Sequence, residues 1–178
     1  MHYKKLLKII TGGINMWIEI VAIGLLIGLD QLVKYLTVIH LQGNSPYVII
    51  DGVFQLTYVE NSGAAFGMLQ NQRTFFLIFT LIVIGLVLVY YLKIPKTKRF
   101  TILRITVILF FAGALGNWID RLRLSYVIDT FYFNLINFPV FNVADSYVVV
   151  STFVFAYLIL FYYKENEFDF IKSKAKKE

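Results

Sequence analysis

Two aspartates, Asp129 in VIDTF and Asp145 in FNVADS, sit among apolar and aromatic neighbours. An unpaired carboxylate beside an apolar phase is costly, so such residues default to functional hypotheses. Two carboxyls brought together there do not both ionise cheaply. One proton is shared, one pKa rises, and the pair can serve as general base and general acid on a water molecule. That is aspartic-protease chemistry, which needs no thiol, no Ser–His pair and no metal. The chain has no Cys and only two His, His2 and His40, so thiol nucleophiles, disulfides, Cys-ligated metals and His-rich sites are excluded. The competing reading of Asp145 is an N-cap for the helix that follows it. Separation along the chain does not by itself bring the two carboxyls together.

Further polar residues gather where apolar runs end: Asp30, Gln31 and Lys34; Asn61; Asn117, Asp120 and Arg121; and Asn142. In DQLVK, Asp30 and Lys34 stand at i and i+4, on one face of a helix, and can pair. That pair reads equally as an interfacial salt bridge at the end of a helix or as part of a site. In GNWIDR, Asn117 and Arg121 have the same spacing and Asp120 lies one turn after Asn117. Alone, this could be a polar helix end that binds lipid phosphate.

The elements that carry these residues belong to a membrane protein. The chain has 178 residues, 58% of them hydrophobic and 16% charged, against roughly 45–50% and about 25% in soluble folds. Mean hydropathy is +0.70. A spanning helix needs about 20 mostly apolar residues. Four candidates emerge, at about 17–36, 74–92, 104–120 and 146–163. The expected fold is a single integral membrane domain over residues 1–178. It is an all-α membrane protein with four transmembrane helices and a small extracellular β-type cradle. Extracellular segments fall at about 37–73 and 121–145, and a cytoplasmic loop at about 93–103.

Within the first extracellular segment, YVIIDGVFQLTYVEN offers two short β-type runs broken at Asp51-Gly52, a hairpin signal. Residues 121–145 read as a second interfacial segment, rich in Phe, Tyr and Asn. Basic residues set the orientation. Lys4, Lys5 and Lys8, then Lys93, Lys96, Lys98, Arg99 and Arg104, then Lys164, Lys172, Lys174, Lys176 and Lys177 all fall on one side of an even-span topology. The other side receives only Lys34, Arg73, Arg121 and Arg123. The positive-inside rule therefore places both termini in the cytoplasm. The formal charge of +6 is thus explained by topology and anionic lipid, and no basic face interleaved with aromatics suggests nucleic acid. The basic start before the first span resembles a signal peptide, but Thr11-Gly12-Gly13 interrupts it, so a retained span is expected.

Taken together, the motifs resemble the lipoprotein signal peptidases (signal peptidase II), membrane aspartic peptidases of bacteria. The resemblance rests on DQLVK at 30–34, ENSGAAFG at 60–67, GNWIDR at 116–121, VIDTF at 127–131 and FNVADS at 141–146, in family order. One departure is small: where the family often has VVDF, Thr130 separates Asp129 from the aromatic. The resemblance implies that Asp129 and Asp145 are the catalytic dyad. It implies that Asp30, Lys34, Asn61, Asn117, Arg121 and Asn142 line the site and hold substrate. It gives Asp120 a structural role, most simply beside an arginine, and makes the segment after Asn61 a lid whose Gly63, Ala64 and Ala65 allow close approach of a backbone.

The implied reaction is hydrolysis of the bond before the diacylglyceryl-modified cysteine of a prolipoprotein. No metal or cofactor is implied. The implied partners are such prolipoproteins, membrane lipid and globomycin-type inhibitors, and the implied location is the bacterial cell membrane. Three rivals remain: a small transporter or channel, a different intramembrane aspartic peptidase, and a non-enzymatic assembly subunit. The first predicts carboxyls near mid-span, the second a GxGD signature that the chain lacks, and the third polar motifs acting only as packing glue between helices.

Overall fold

A computed structural model describes residues 15–63 and 70–171. Ala64, Ala65 and the rest of the proposed lid at 64–69, and the basic start with Lys4, Lys5 and Lys8, lie outside them. Among the described residues, four helices are long and apolar enough to cross a membrane. We number them α1 (Met16–Leu41), α2 (Arg73–Tyr91), α3 (Thr101–Leu124, entered through a 3-10 turn at Lys98–Phe100) and α4 (Val143–Tyr157, continued by a π turn at Leu158–Tyr162). Their outward faces are apolar: Leu25, Phe153 and Phe161 are 70%, 73% and 76% exposed. A water-soluble surface does not carry such a belt, whereas lipid accepts it.

Helix α3 is the hub, with half of its spanning stretch buried against the others. Two glycines make this possible. A Cβ at Gly113 would collide with the Ala144 carbonyl oxygen and lie 2.8 Å from Val148 Cγ2, and one at Gly116 would lie 2.7 Å from Asp30 Oδ2. Small residues let α4 and α1 approach the α3 backbone closely, as packing between membrane helices requires.

The helices outrun the apolar windows in the sequence. Helix α1 continues to Leu41 and α3 to Leu124, because Asp30 and Asp120 both pair with Lys34 in the interior instead of ending the helix. At the opposite end Arg104, expected to begin the third span, has its own buried partner. It lies inside α3, 2% exposed, with Nε and Nη2 each 2.7 Å from a Glu19 carboxylate oxygen.

The sheet has three antiparallel strands in the order β1-β2-β3: β1 (Tyr47–Ile50), β2 (Phe54–Asn61) and β3 (Val127–Phe133). The β1–β2 hairpin turns at Asp51-Gly52, where Gly52 takes φ +66°, a left-handed conformation that suits glycine. Strand β3 is the element that the sequence conceals. Its first four residues are all buried, so apolar and polar positions do not alternate, and VIDTFYF reads only as an apolar loop. Its register sets Asp129 opposite Val59 and Val127 opposite Asn61. The chain then returns through a bridge between Phe131 and Phe141 to the start of α4.

Candidate active site

Asp129 and Asp145 reach the same place from different elements, one from mid-β3 and one from the first turn of α4. Asn142 joins them. Its Nδ2 donates to Asp129 Oδ1 at 2.7 Å, its backbone N–H donates to Asp145 Oδ2 at 3.1 Å, and its Oδ1 accepts from the Asp145 amide at 2.8 Å. The last two bonds form a capping box. The N-cap is therefore Asn142, and Asp145 occupies the third helical position, where capping the helix and facing Asp129 are compatible. Each remaining carboxylate oxygen takes one more amide: Asn61 Nδ2 donates to Asp129 Oδ2 at 2.9 Å and Asn117 Nδ2 to Asp145 Oδ1 at 2.7 Å.

Asp129 is 1% exposed. Burial, above all, and then the negative charge of Asp145 push its pKa up to about 7, although hydrogen bonds from Asn61 and Asn142 and the charge of Lys34 pull the other way. A carboxyl poised there can hold or release a proton at neutral pH.

The pair opens onto a cavity of about 760 Å³. Asn61, Asn117, Arg121, Asp129 and Asp145 line its polar end, while Phe79, Val83, Phe110 and Val148 line an apolar extension between helices. Arg121 donates from Nη2 to the Gly63 carbonyl at 3.0 Å and lies over the Phe76 ring at 4.6 Å, and its Nε has no hydrogen-bond partner among the described residues. Asn61 is held in turn, since its Oδ1 accepts the Gly63 amide at 3.0 Å.

Comparison with known proteins decides the family. The family described as "Signal peptidase (SPase) II" matches residues 22–161. The chain belongs to the signal peptidase II family. It is 46% identical over 146 residues to a lipoprotein signal peptidase of Streptococcus thermophilus, covering 82% of this chain and 92% of that one. It is 49% identical over 145 residues to one of Clostridioides difficile, covering 80% and 95%. Two solved bacterial membrane enzymes share its fold at 27% identity, with TM-scores of 0.74 and 0.75, covering 84% and 85% of this chain and 92% and 97% of theirs. The chain is thus a multi-pass membrane protein and a protease of this family.

Within this signal peptidase II member, three of the eight residues expected to line the site stand behind it. Asp30 and Asn142 are fully buried and Lys34 is 2% exposed, and none of the three lines the cavity. Asp120 is likewise buried, but its charged partner is Lys34, at 2.8 Å, not an arginine. Helical spacing pairs residues within one helix, as it does Asp30 with Lys34, and is silent about the cross-helix contact. Gln31 joins the same cluster, donating to Asp120 Oδ1 at 2.8 Å. The hydroxyls of Thr37 and Thr130 meet at 2.8 Å in the interior. Thr130, the departure from the family pattern, thereby ties β3 to α1. Arg73 caps the end of α3 through the carbonyls of Arg121 and Leu122, at 2.8 and 2.6 Å. Nothing in the motifs singles out Thr37 or Arg73.

Proposed function

We propose that Asp129 and Asp145 are the catalytic dyad of an aspartic endopeptidase that hydrolyses the bond before the diacylglyceryl-modified cysteine of prolipoproteins. Removal of signal peptides from prolipoproteins is the activity that the family assigns to this chain. The observation that carries the dyad is Asn142, a single residue that donates to the Asp129 carboxyl from its side chain and to the Asp145 carboxyl from its backbone N–H, at the polar end of a cavity with an apolar extension. The ionised member of the pair takes a proton from water as the water oxygen attacks the scissile carbonyl carbon. The protonated member donates to the carbonyl oxygen, and as the tetrahedral intermediate collapses a proton passes to the leaving amine. Asn61, Asn117 and Arg121 line the cavity with N–H donors suited to peptide carbonyls, and the apolar extension suits the hydrophobic stretch of a signal peptide. The diacylglyceryl chains stay in membrane lipid. A globomycin-type inhibitor would occupy the same cavity and compete with substrate. Purified protein incubated with a lipid-modified prolipoprotein should yield the shorter product, and an intact substrate would sink this reading.

The raised pKa of Asp129 fixes the pH dependence. As pH rises through about 7 the shared proton leaves, no acid remains for the carbonyl oxygen, and kcat/KM falls. At the acid end both members protonate, the base is lost, and the rate falls again. A rate that does not change between about pH 6 and about pH 9 would contradict a shared-proton pair.

The same reading sets the protein in the bacterial cell membrane with both termini in the cytoplasm and the sheet outside, supported by the basic loop around Lys93–Arg99. Reporter fusions after Lys96 and at Asn44 should report cytoplasm and exterior respectively. An exterior signal at Lys96 would reverse the orientation.

A further inference from the structure

Behind the reacting pair lies an ion cluster that lines no part of the cavity. The Lys34 ammonium meets Asp30 Oδ2 at 2.9 Å, Asp120 Oδ2 at 2.8 Å and Asn117 Oδ1 at 3.0 Å. Three N–H donors thus find three acceptors, and none is left for substrate. The two carboxylates reach further. Asp120 Oδ2 accepts the backbone N–H of Ile128 at 3.3 Å, and Asp30 Oδ1 accepts that of Ala144 at 2.9 Å. Ile128 immediately precedes Asp129, and Ala144 immediately precedes Asp145. Each carboxylate of the cluster therefore grips the backbone one residue before a reacting aspartate, and Lys34 joins the two grips.

Two buried carboxylates against one ammonium leave a surplus negative charge, which is costly without further donors. The two amides, Gln31 and the positive end of the α4 dipole at Ala144 supply that compensation. The third Lys34 bond has its own consequence. With Oδ1 on the ammonium, the Asn117 amide must turn its Nδ2 toward Asp145, to which it donates at 2.7 Å. Without the ammonium, Asn117 is free to flip and present oxygen to a carboxylate.

We propose that Lys34 is a positioning residue for the reacting pair: through Asp120 and Asp30 it holds β3 and α4 in register, and through Asn117 it fixes the donor on Asp145, without touching substrate. This rests on the reading of Asp129 and Asp145 as the dyad and replaces a substrate-binding role for Lys34.

The test is Lys34→Met, which keeps most of the side-chain length and removes the charge. In purified, folded protein kcat should fall at least about 10-fold while KM stays within about threefold, the pattern of a lost transition-state arrangement and not of lost binding. The upper limb of the pH profile should also move upward, because Lys34 is one of the influences that hold the Asp129 pKa down. The other charged groups facing the pair, Asp30 of α1, Asp120 and Arg121 of α3, and Glu60 at the cavity wall, are unchanged in this variant. Hydrogen exchange at the Ile128 and Ala144 amides should accelerate together. Should Lys34→Met fail to accumulate in the membrane, Asp120→Asn carries the same test, with the same kcat-against-KM pattern and faster exchange at Ile128.

Normal kcat, or a raised KM with unchanged kcat, would overturn the proposal. So would a loss of thermal stability that leaves both kcat and the pH limb in place, since that marks a merely structural cluster. If wild-type protein cleaves nothing, the dyad reading fails instead, and the paired amide exchange still decides whether Lys34 joins the two grips.

Discussion

Asp129→Asn and Asp145→Asn should each lower turnover by at least about 10²-fold, the low end of what a general acid or base contributes. The loss should appear in kcat more than in KM, because Asn61, Asn117 and Arg121 still line the cavity. The double variant should be little worse than either single one, since two residues that share one proton act as a unit. Neither substitution should unfold the protein, and for Asp129 the sign follows from its pKa. An Asp129 ionised near its ordinary value when unfolded, but only near 7 when folded, costs stability progressively as pH rises between those two values, and by a constant amount above about 7. That cost is a few kcal/mol. Asparagine removes it, at the expense of turning one N–H toward Asn61 or Asn142, a loss of about 1 kcal/mol. Asp129→Asn should therefore melt at or above the wild-type temperature at about pH 8, with the advantage shrinking toward about pH 4. Near-normal cleavage by purified Asp129→Asn would remove the dyad, and Asp120 could not readily replace it, being engaged with Lys34, Gln31 and the Ile128 amide.

Much of this molecule is legible in the sequence because the bilayer enforces simple rules. Uncharged runs of spanning length mark the helices, and polar residues at their ends stand out because a membrane span carries few. The hairpin at Asp51-Gly52 is equally plain, since local turn chemistry determines it. What stays hidden is whatever depends on contacts between distant segments. Strand β3 has no alternation to reveal it, being buried on both faces at its start, and it becomes a strand only because β2 offers it a ladder. The candidate site divides in the same way. Residue types mark Asp30, Lys34 and Asp120 as out of place, yet nothing in the chain says that Lys34 meets Asp120 across 86 positions or that both carboxylates reach back to the amides before Asp129 and Asp145.

Glu19→Ala should destabilise the protein by about 3–5 kcal/mol, as breaking a buried ion pair from one side does. Arg104 is 2% exposed and each nitrogen of its guanidinium is engaged: by both oxygens of Glu19, by the Ile94 carbonyl at 2.9 Å and by the Tyr91 hydroxyl at 3.1 Å, with the centre of the Tyr91 ring 4.4 Å from Cζ. Tyr91, Ile94, Leu103, Val107 and Phe111 belong to one apolar cluster, which offers the cation no counter-charge once Glu19 is gone. Removing both charges, in Glu19→Leu combined with Arg104→Met, should recover most of the loss, because apolar residues of similar size suit that cluster. Thermal unfolding in detergent measures both variants. Cleavage per folded molecule should stay near wild type in each, since neither Glu19 nor Arg104 lines the cavity with Asp129 and Asp145. An unchanged melting temperature for Glu19→Ala would mean that water or lipid phosphate reaches Arg104 and that the pair does not hold α1 to α3. A double variant no better than Glu19→Ala would mean instead that Arg104 acts chiefly through its bonds to Ile94 and Tyr91, with Glu19 as a secondary partner.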